Sequence, residues 1–405
     1  MIKKITVENF FSFGSKTTIE LNVETNILVG INGSGKSNFI KLIRLLYESI
    51  AGDGFEKIFL KDWGGFFESA NFNESQADFI NVSYEFDKDL IGKAVNNEGY
   101  KFQNNPIYEL TIHRIGNTGY YLEEKLYSLG IEQNKNDFIY LEFKNGKGVI
   151  STRENDEVKL QPKDKSITFK DSETVLRQIS DPMRFYPHFT LKRAIENIVV
   201  YDYWDTSIDS KVRKPNVFGV ENRLAANGEN LAQMMNRLKN QHALQYEKIQ
   251  NLLKKINPNF IDVGIDLFGS MMYLVLREKK LSKTLGARHI SDGTLRFLLL
   301  LTILYNPDRG RIICIDEPEI GLHPDMINTI AEAIQLASKD SQIIVATHSP
   351  LLLNAFELED VLIFEKNKDN HSIVCKKTEE DFHDWSGEFL VGQMWLRGLI
   401  GGKRW

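Results

Sequence analysis

The chain contains very little cysteine and no long apolar run. Two cysteines occur in 405 residues, Cys314 and Cys375, each in an apolar stretch typical of a strand. Two thiols exclude a disulfide framework and a four-cysteine zinc site, and they suit a reducing cytoplasm. The longest apolar run, 297–305, is much shorter than the roughly eighteen residues of a membrane span. Residues 1–10 lack the apolar core of a signal peptide. We therefore expect a cytoplasmic protein with no membrane partner.

The chain also lacks a large net charge. Its formal net charge of -5 gives no overall attraction to DNA or to an anionic membrane. Any nucleic-acid partner must therefore contact a local basic patch, although exposed basic residues are ordinarily solvated surface. The candidate contacts are Arg213, Lys214, Lys254, Lys255, Lys403 and Arg404.

Hydrophobic periodicity predicts three regions. Short strands from 3 to 29 precede a buried helix at 38–47. Antiparallel strands follow at 81–86, 108–114, 120–126, 139–143 and 148–151, with turns at 117–119 and 145–146. A helix or broken helical pair, 231–256, ends before Pro258, and an exposed loop is expected at 211–215. From 273 to 364, strands alternate with helices, which is typical of a parallel α/β sheet.

A glycine-rich loop lies between an apolar strand and the first helix. Gly30–Ser37 fits the pattern G-x-x-x-x-G-K-[ST], in which backbone N–H groups surround phosphate oxygens. Lys36 would reach the β- and γ-phosphates, and the Ser37 hydroxyl would ligate Mg²⁺. A glycine turn that only caps a helix is a weak alternative. The predicted nucleotide contacts here are Gly30, Asn32, Gly33, Ser34, Gly35, Lys36, Ser37 and Asn38.

Two later strands end in polar clusters. An apolar strand ends at Asp316 and Glu317, and another ends at His348. If the first strand is parallel to that of the glycine loop, Asp316 can hold Mg²⁺ through water and Glu317 can accept a proton from an attacking water. His348 would position that water or the γ-phosphate. Paired acids and a lone histidine at strand ends are often structural, but the glycine loop favours a catalytic role.

A helix-capping pattern precedes the most apolar helix. Ser291, Asp292 and Gly293 stand before 295–305, so a hydroxyl and free N–H groups face any anion placed at that helix start. By default such a pattern only caps a helix. Here the capped end also suits the γ-phosphate of ATP held by a second copy of the chain.

These four motifs, in this order and with the sequence 317–324 after the acidic pair, resemble an ABC-type ATPase head of the RecF/SMC kind. The resemblance covers 1–50 and about 285–365. It implies that Ser291, Asp292 and Gly293 are a signature motif acting in trans and that His323 lies at a dimer interface. Transporters usually have glycine where this chain has Asp292. The serine-aspartate-glycine form, and the ending at 395–405, are similar to stand-alone RecF-like AAA ATPases of bacterial anti-phage systems.

Related classes lack support in the sequence. SMC proteins have long heptad arms and Rad-type heads a C-x-x-C hook, and both are missing here. The residues after His348 are too few for the Toprim domain of an overcoming-lysogenisation-defect nuclease. A transporter subunit fits less well with the long insertion between the motifs. A glutamine-loop residue is not evident, and Gln76 is the only candidate.

The expected fold is therefore α/β: an ABC ATPase head with a mixed or parallel nucleotide-binding core, an antiparallel β-rich lobe and a short helical lid. We expect the core at 1–50 and 285–405, the lobe at 51–170 and the lid at 171–284. The leading hypothesis is an ATPase that dimerises around ATP and Mg²⁺ and controls a separate nuclease or toxin in anti-phage defence. The alternatives are an ATP-gated scaffold with little turnover and a RecF-like ATPase that loads at DNA.

Overall fold

A computed structural model describes residues 1–73, 77–96, 98–116, 119–130, 136–154, 157–162, 169–382 and 389–401. Gln76, Lys403, Arg404 and the turn residues 117–118 lie outside these ranges. The strands are β1 Ile2–Glu8, β2 Thr17–Glu20, β3 Thr25–Gly30, β4 Phe79–Phe86, β5 Pro106–Ile115, β6 Gly119–Ser128, β7 Phe138–Lys144, β8 Lys147–Glu154, β9 Glu157–Pro162, β10 Ile198–Tyr201, β11 Asn216–Val217, β12 Phe260–Phe268, β13 Met271–Glu278, β14 Leu285–Gly286, β15 Ile312–Asp316, β16 Gln342–Ala346, β17 Val361–Lys366 and β18 Ser372–Cys375.

Helices are fewer and mostly short. They are α1 Lys36–Ile50, α2 Phe66–Ser69, α3 Lys88–Ala94, α4 Val175–Gln178, α5 Tyr186–Ile195, α6 Leu231–Gln241, α7 Ala243–Ile256, α8 Asp292–Tyr305, α9 Pro324–Ser338, α10 Pro350–Leu353 and α11 Val391–Leu396. Within the described ranges, no helix combines the length and apolarity needed to cross a membrane.

The chain forms two compact units. Unit 1 comprises Met1–Val23, Gly30–Ile198 and Leu362–Lys376; unit 2 comprises Glu24–Val29, Val199–Val361 and Lys377–Trp405. The expected glycine-loop region and β-rich lobe fall in unit 1. The acidic strand, the histidine strand and the capped helix fall in unit 2.

Unit 1 is built on an eight-stranded antiparallel sheet with the order β2-β1-β4-β5-β6-β7-β8-β9. In β4, Ile80, Val82, Tyr84 and Phe86 are buried at every second position, as expected when one face of a strand packs on a core. The Tyr84 hydroxyl donates to the carbonyl of Leu42 at 2.7 Å and so ties the sheet to α1. The predicted antiparallel strands are confirmed.

The turn between β7 and β8 is formed by Asn145 and Gly146, whose φ angles are +49° and +70°. Two consecutive left-handed residues suit a tight hairpin because they match the twist of the flanking strands. The hairpin predicted at this dipeptide is confirmed.

Unit 2 contains strands in the order β10-β15-β16-β3. Of these, β15 pairs in parallel with β16, and β16 pairs in parallel with β3. The register places Asp316 opposite Ala346 and Ala346 opposite Leu28, so these three residues lie at one level of the sheet. Helix α8 is apolar on all sides, and 295–304 are buried throughout. The predicted parallel core is therefore confirmed for β15, β16 and β3.

A second part of unit 2 is antiparallel. Strands β12 and β13 form a hairpin, with β11 and β14 on β13. Helices α6 and α7 pack on this hairpin, and the amide of Gln250 bonds both the N–H and the carbonyl of Val263. The helical region predicted at 231–256 is confirmed, and of the two alternatives it is the broken pair, interrupted at His242. The prediction that the parallel sheet starts near Tyr273 is wrong, because β13 pairs only with antiparallel neighbours in the described residues.

Candidate active site

The glycine-rich loop of unit 1 connects the end of β3 to the start of α1. Gly33 and Gly35 have φ angles of +80° and +114°, which residues other than glycine rarely adopt. At Gly35 a Cβ atom would lie 2.3 Å from Ser372 Oγ, and at Gly30 it would lie 2.5 Å from the carbonyl oxygen of Phe364. The loop therefore needs its glycines both for backbone conformation and for close packing.

The lysine of this loop points back across it. Lys36 is buried, and its Nζ donates to the carbonyl of Gly30 at 2.8 Å and to that of Ile31 at 3.4 Å. Asn32 and Ser37 are exposed at the loop surface. An ammonium group, an exposed hydroxyl and the N–H groups at the start of α1 are the donors that a chain of phosphates requires.

The other two polar side chains of the loop are turned inward. Ser34 is fully buried, and its Oγ has no hydrogen-bond partner among the described residues. Asn38 Nδ2 donates to Ser12 Oγ at 2.8 Å, so its amide is used in supporting the loop.

A serine outside the predicted motifs supports the loop. Ser372 Oγ donates to the carbonyl of Ser34 at 2.6 Å and lies 2.7 Å from Ser12 Oγ. The backbone N–H of Ser372 also donates to the carbonyl of Ser12. The C=O and N–H of one trans peptide point in opposite directions, so fixing the Ser34 carbonyl also fixes the direction of the Gly35 N–H. The sequence does not reveal this role of Ser12 and Ser372, because only the fold brings them to the loop.

The acidic pair of unit 2 is held in a strained turn. Asp316 ends β15, and Glu317 has a φ of +48° while its N–H donates to the carbonyl of Ala346 at 2.8 Å. A left-handed conformation is costly for a residue with a Cβ atom and commonly marks functional positions. Here it directs the carboxylate of Glu317 toward the next strand, where Oε1 lies 3.4 Å from Nε2 of His348.

A second carboxylate positions the histidine. Oε1 of Glu319 accepts the N–H of His348 at 2.8 Å and the hydroxyl of Thr347 at 2.7 Å. Burial raises the pKa of Glu319, an effect that these hydrogen bonds partly oppose. Its Oε2 is buried without a hydrogen-bond partner in the described part of the chain. Glu319 was visible in the sequence only as part of the segment after the acidic pair, and its role was missed.

Asp316 and Glu317 open onto a pocket of about 80 Å³, room for a few water molecules. Its other walls include Asp202, Tyr203 and Arg296. Arg296 is buried, donates to the carbonyl of Trp204 at 3.0 Å and lies over the ring of Tyr203 at 4.5 Å. Within unit 2, Glu317 is thus brought to His348, and the predicted residues Asp316 and Glu317 border a space that holds a few water molecules.

The capped helix start is also in unit 2. Ser291 Oγ accepts the N–H of Thr294 at 3.2 Å, which confirms the predicted cap of α8. A Cβ atom on Gly293 would lie 2.7 Å from the carbonyl oxygen of Gly321, so this position requires glycine. Asp292 forms an ion pair with Arg213 at 2.6 Å.

That ion pair corrects two predictions. The expected exposed loop at 211–215 is a short 3₁₀ turn, Lys211–Arg213, in which Val212 and Arg213 are buried. Arg213 is therefore not available to contact a nucleic acid. Arg213 is buried because it bonds the start of α8, and no local sequence pattern reveals that contact.

The remaining predicted positions lie at the surface. His323 caps α9 through Nδ1, which accepts the N–H of Asp325 at 3.4 Å, and its side chain is 67% exposed. Near the end of the described chain, Arg397 lies over the ring of Phe389 at 4.1 Å. Residues 402–405 of the predicted tail are outside the described ranges.

Comparison with known proteins places this arrangement in a family. The family model described as "AAA domain, putative AbiEii toxin, Type IV TA system" matches residues 25–354, which is most of the chain. The match runs from β3 to the segment just after the histidine strand, and so includes every predicted motif.

Two relatives share parts of the sequence. The "Old nuclease" of Escherichia phage P2 is 26% identical over a 185-residue alignment that covers 40% of this chain and 30% of that protein. The "Retron Vc95 probable ATPase" of Vibrio cholerae serotype O1 biovar El Tor is 35% identical over 78 residues, 19% of this chain and 15% of that protein. The matched regions span less than a third of either relative.

Solved structures share the fold over nearly the whole chain. An SMC head bound to the C-winged helix domain of ScpA has a TM-score of 0.57 at 15% identity, covering 94% of this chain and 99% of that one. An SMC head with an extended coiled coil, bound to the C-terminal domain of ScpA from Pyrococcus furiosus, has a TM-score of 0.53 at 14% identity, covering 94% and 97%. The predicted ATPase-head fold is confirmed. With its glycine loop and its acidic pair, the chain belongs to the family described as "AAA domain, putative AbiEii toxin, Type IV TA system", and it has the fold of an SMC head.

Proposed function

We propose that this chain hydrolyses ATP, with Glu317 as the general base. The observation that carries this proposal is the strained turn, which holds the Glu317 carboxylate 3.4 Å from His348 and on the wall of a small pocket. Glu317 accepts the proton of the attacking water, and His348 orients that water by a hydrogen bond. The carbonyl contacts of Lys36 give way to phosphate oxygens when ATP binds.

The same proposal includes a divalent cation. The Ser37 hydroxyl in unit 1 and the Asp316 carboxylate in unit 2 are each an oxygen donor of the kind that Mg²⁺ prefers. A bound cation would neutralise phosphate charge. The chain's own contribution is the placement of donors around the phosphates and of a base beside the water.

A pair of substitutions tests the assignment. Glu317→Gln should retain ATP binding and lose at least about a hundredfold in hydrolysis, because the amide cannot accept the proton. Lys36→Ala should lose ATP binding itself. Phosphate release and titration with a fluorescent ATP analogue measure the two effects separately. Hydrolysis by Glu317→Gln at the wild-type rate would exclude Glu317 as the base.

We further propose that two heads close around ATP, each presenting Ser291, Asp292 and Gly293 to the nucleotide bound by the other. The start of α8 supports this, because Ser291 and Asp292 are exposed and a helix start attracts anions. The Glu317→Gln protein should therefore double its mass when ATP is added and revert when ATP is removed. A mass that stays monomeric at saturating ATP would contradict the dimer.

The family description and the retron relative support a role in anti-phage defence, in which the head restrains a separately encoded nuclease or toxin in the cytoplasm. The partner should co-purify with this chain and be toxic when produced alone. Pull-downs that recover only this chain would argue against a bound effector.

A DNA-loading role is the second candidate, and one surface favours it. Lys254 and Lys255 at the end of α7 are exposed, as are Lys279 and Lys280, and the N–H and Nζ of Lys279 bond the carbonyls of Asn259 and Pro258. Four ammonium groups on neighbouring segments suit a phosphate backbone. ATP-dependent, salt-sensitive binding of a DNA duplex that is lost on Lys254→Glu would favour this role over effector control.

A further inference from the structure

One buried arginine organises the start of α8. Arg213 Nε donates to the carbonyl of Thr206 at 2.8 Å, and Nη1 donates to the carbonyls of Ala287 and Ile290. Nη2 pairs with Asp292 Oδ1 at 2.6 Å. Its side chain is only 6% exposed, whereas that of Asp292 is 65% exposed. The guanidinium therefore holds the backbone just before Ser291 and the carboxylate just after it.

The negative charge of Asp292 has two opposing effects at the start of α8. Asp292 is the first residue of α8, where a negative charge stabilises the helix through its dipole. The same carboxylate lies at the helix start that would face an incoming phosphate. A carboxylate and a phosphate repel each other when they are brought close together. A positive charge fixed behind the carboxylate cancels most of that repulsion without blocking the exposed face.

We propose that Arg213 is a positioning residue for the signature segment Ser291–Gly293, and that its charge offsets Asp292 so that the phosphates of ATP on a second copy can approach. The inference rests on the proposed head-to-head function. It also explains how this chain carries an aspartate where transporters usually have glycine.

The test compares ATP-dependent dimerisation of charge variants in the Glu317→Gln background. Asp292→Asn removes the anion and leaves Arg213 in place, so the dimer should tighten by roughly tenfold. Arg213→Gln leaves the anion uncompensated, so the dimer should weaken by at least roughly tenfold. The double variant removes both charges and should recover most of what Arg213→Gln loses. Sedimentation at several protein concentrations gives each dissociation constant.

A matched control lies at the other end of α8. Arg237 pairs with Asp308 at the same distance, 2.6 Å, just beyond the last turn of that helix. Asp308→Asn should leave dimerisation unchanged. Thermal unfolding of every variant shows which proteins are folded, and Asp292→Asn, an exposed and nearly isosteric change, tests the proposal even if Arg213→Gln does not fold.

The outcomes separate the two proposals. A Glu317→Gln protein that stays monomeric with ATP overturns the dimer and this inference together. If Glu317→Gln dimerises and Asp292→Asn weakens or does not change the dimer, only the charge-offset role of Arg213 is overturned, because a purely structural pair would not tighten when broken.

Discussion

Ser372 acts on the phosphate loop although 338 positions separate it from Ser34. Its hydroxyl fixes the peptide group between Ser34 and Gly35. Ser372→Ala removes the hydrogen bond to the Ser34 carbonyl and the contact with Ser12 Oγ. Loss of the first contributes about 1 kcal/mol, which corresponds to roughly fivefold in affinity. We therefore expect weaker binding of a fluorescent ATP analogue by about that factor. Ser49→Ala is the control, because Ser49 is also buried and its hydroxyl donates to the carbonyl of Leu46 in its own helix. Equal affinity of both variants would rule out the support role.

The backbone of Glu317 gives a second prediction at this scale. Glycine adopts a φ of +48° without strain, so Glu317→Gly should raise the free energy of unfolding by about 1 kcal/mol while hydrolysis is lost. Glu317→Gln loses hydrolysis but keeps the strained backbone, and its stability should match the wild type. Urea denaturation distinguishes the two variants. Equal stability of both would show that the turn is not strained.

Several residues of the site were predictable because their signals are local. A few consecutive residues are enough to identify each of three features: the glycine loop, the acids that end β15 and the cap of α8. Ser372, Glu319 and Arg213 were missed or misjudged because their roles depend on contacts between distant segments. A buried arginine within a charged, proline-bounded stretch looks identical in sequence to a solvated one.

At the scale of elements, a buried carboxylate fastens helix α4 to the antiparallel sheet. Glu124 on β6 accepts the N–H groups of Val175 and Leu176 and the hydroxyl of Tyr108. Burial raises its pKa from 4.5 to about 7, against the lowering effect of these hydrogen bonds. The folded state consequently binds a proton more tightly than the unfolded chain does.

Stability should therefore fall as pH rises through this range. The contribution of Glu124 is fully present below its unfolded pKa of 4.5 and is lost by the time pH passes about 7. The loss is on the order of 3 kcal/mol. Glu124→Gln should unfold at a denaturant concentration that changes less between pH 5 and pH 8 than the wild type does. The same pH dependence in both proteins would locate the titrating group elsewhere.

Element types were predictable where the periodicity was strong. The alternation of apolar and polar residues in β4 identified a strand with one buried face. The apolar sequence of α8 identified a buried helix. The β12 and β13 hairpin was partly misassigned because its strands read much like those of the parallel core. Strand direction depends on the partner and not on the strand's own residues.

At the scale of the whole molecule, nucleotide binding should be visible as thermal stabilisation. A ligand at a hundred times its dissociation constant stabilises the folded state by about 2.7 kcal/mol. Thermal unfolding of the wild type should shift upward with ATP, and that of Lys36→Ala should not. A shift in Lys36→Ala as large as that of the wild type would place ATP outside the glycine loop.

The division of the chain into units has a consequence for how the protein is made. Strand β3 is translated early, whereas its neighbour β16 is translated long afterwards. The parallel sheet of unit 2 therefore cannot form until most of the chain has emerged from the ribosome. During that interval β3, every residue of which is buried in the finished protein, has no permanent neighbour on that side. An interrupted translation product would therefore expose an apolar strand edge, and chaperone capture of nascent chains should be strongest before residue 342 is synthesised.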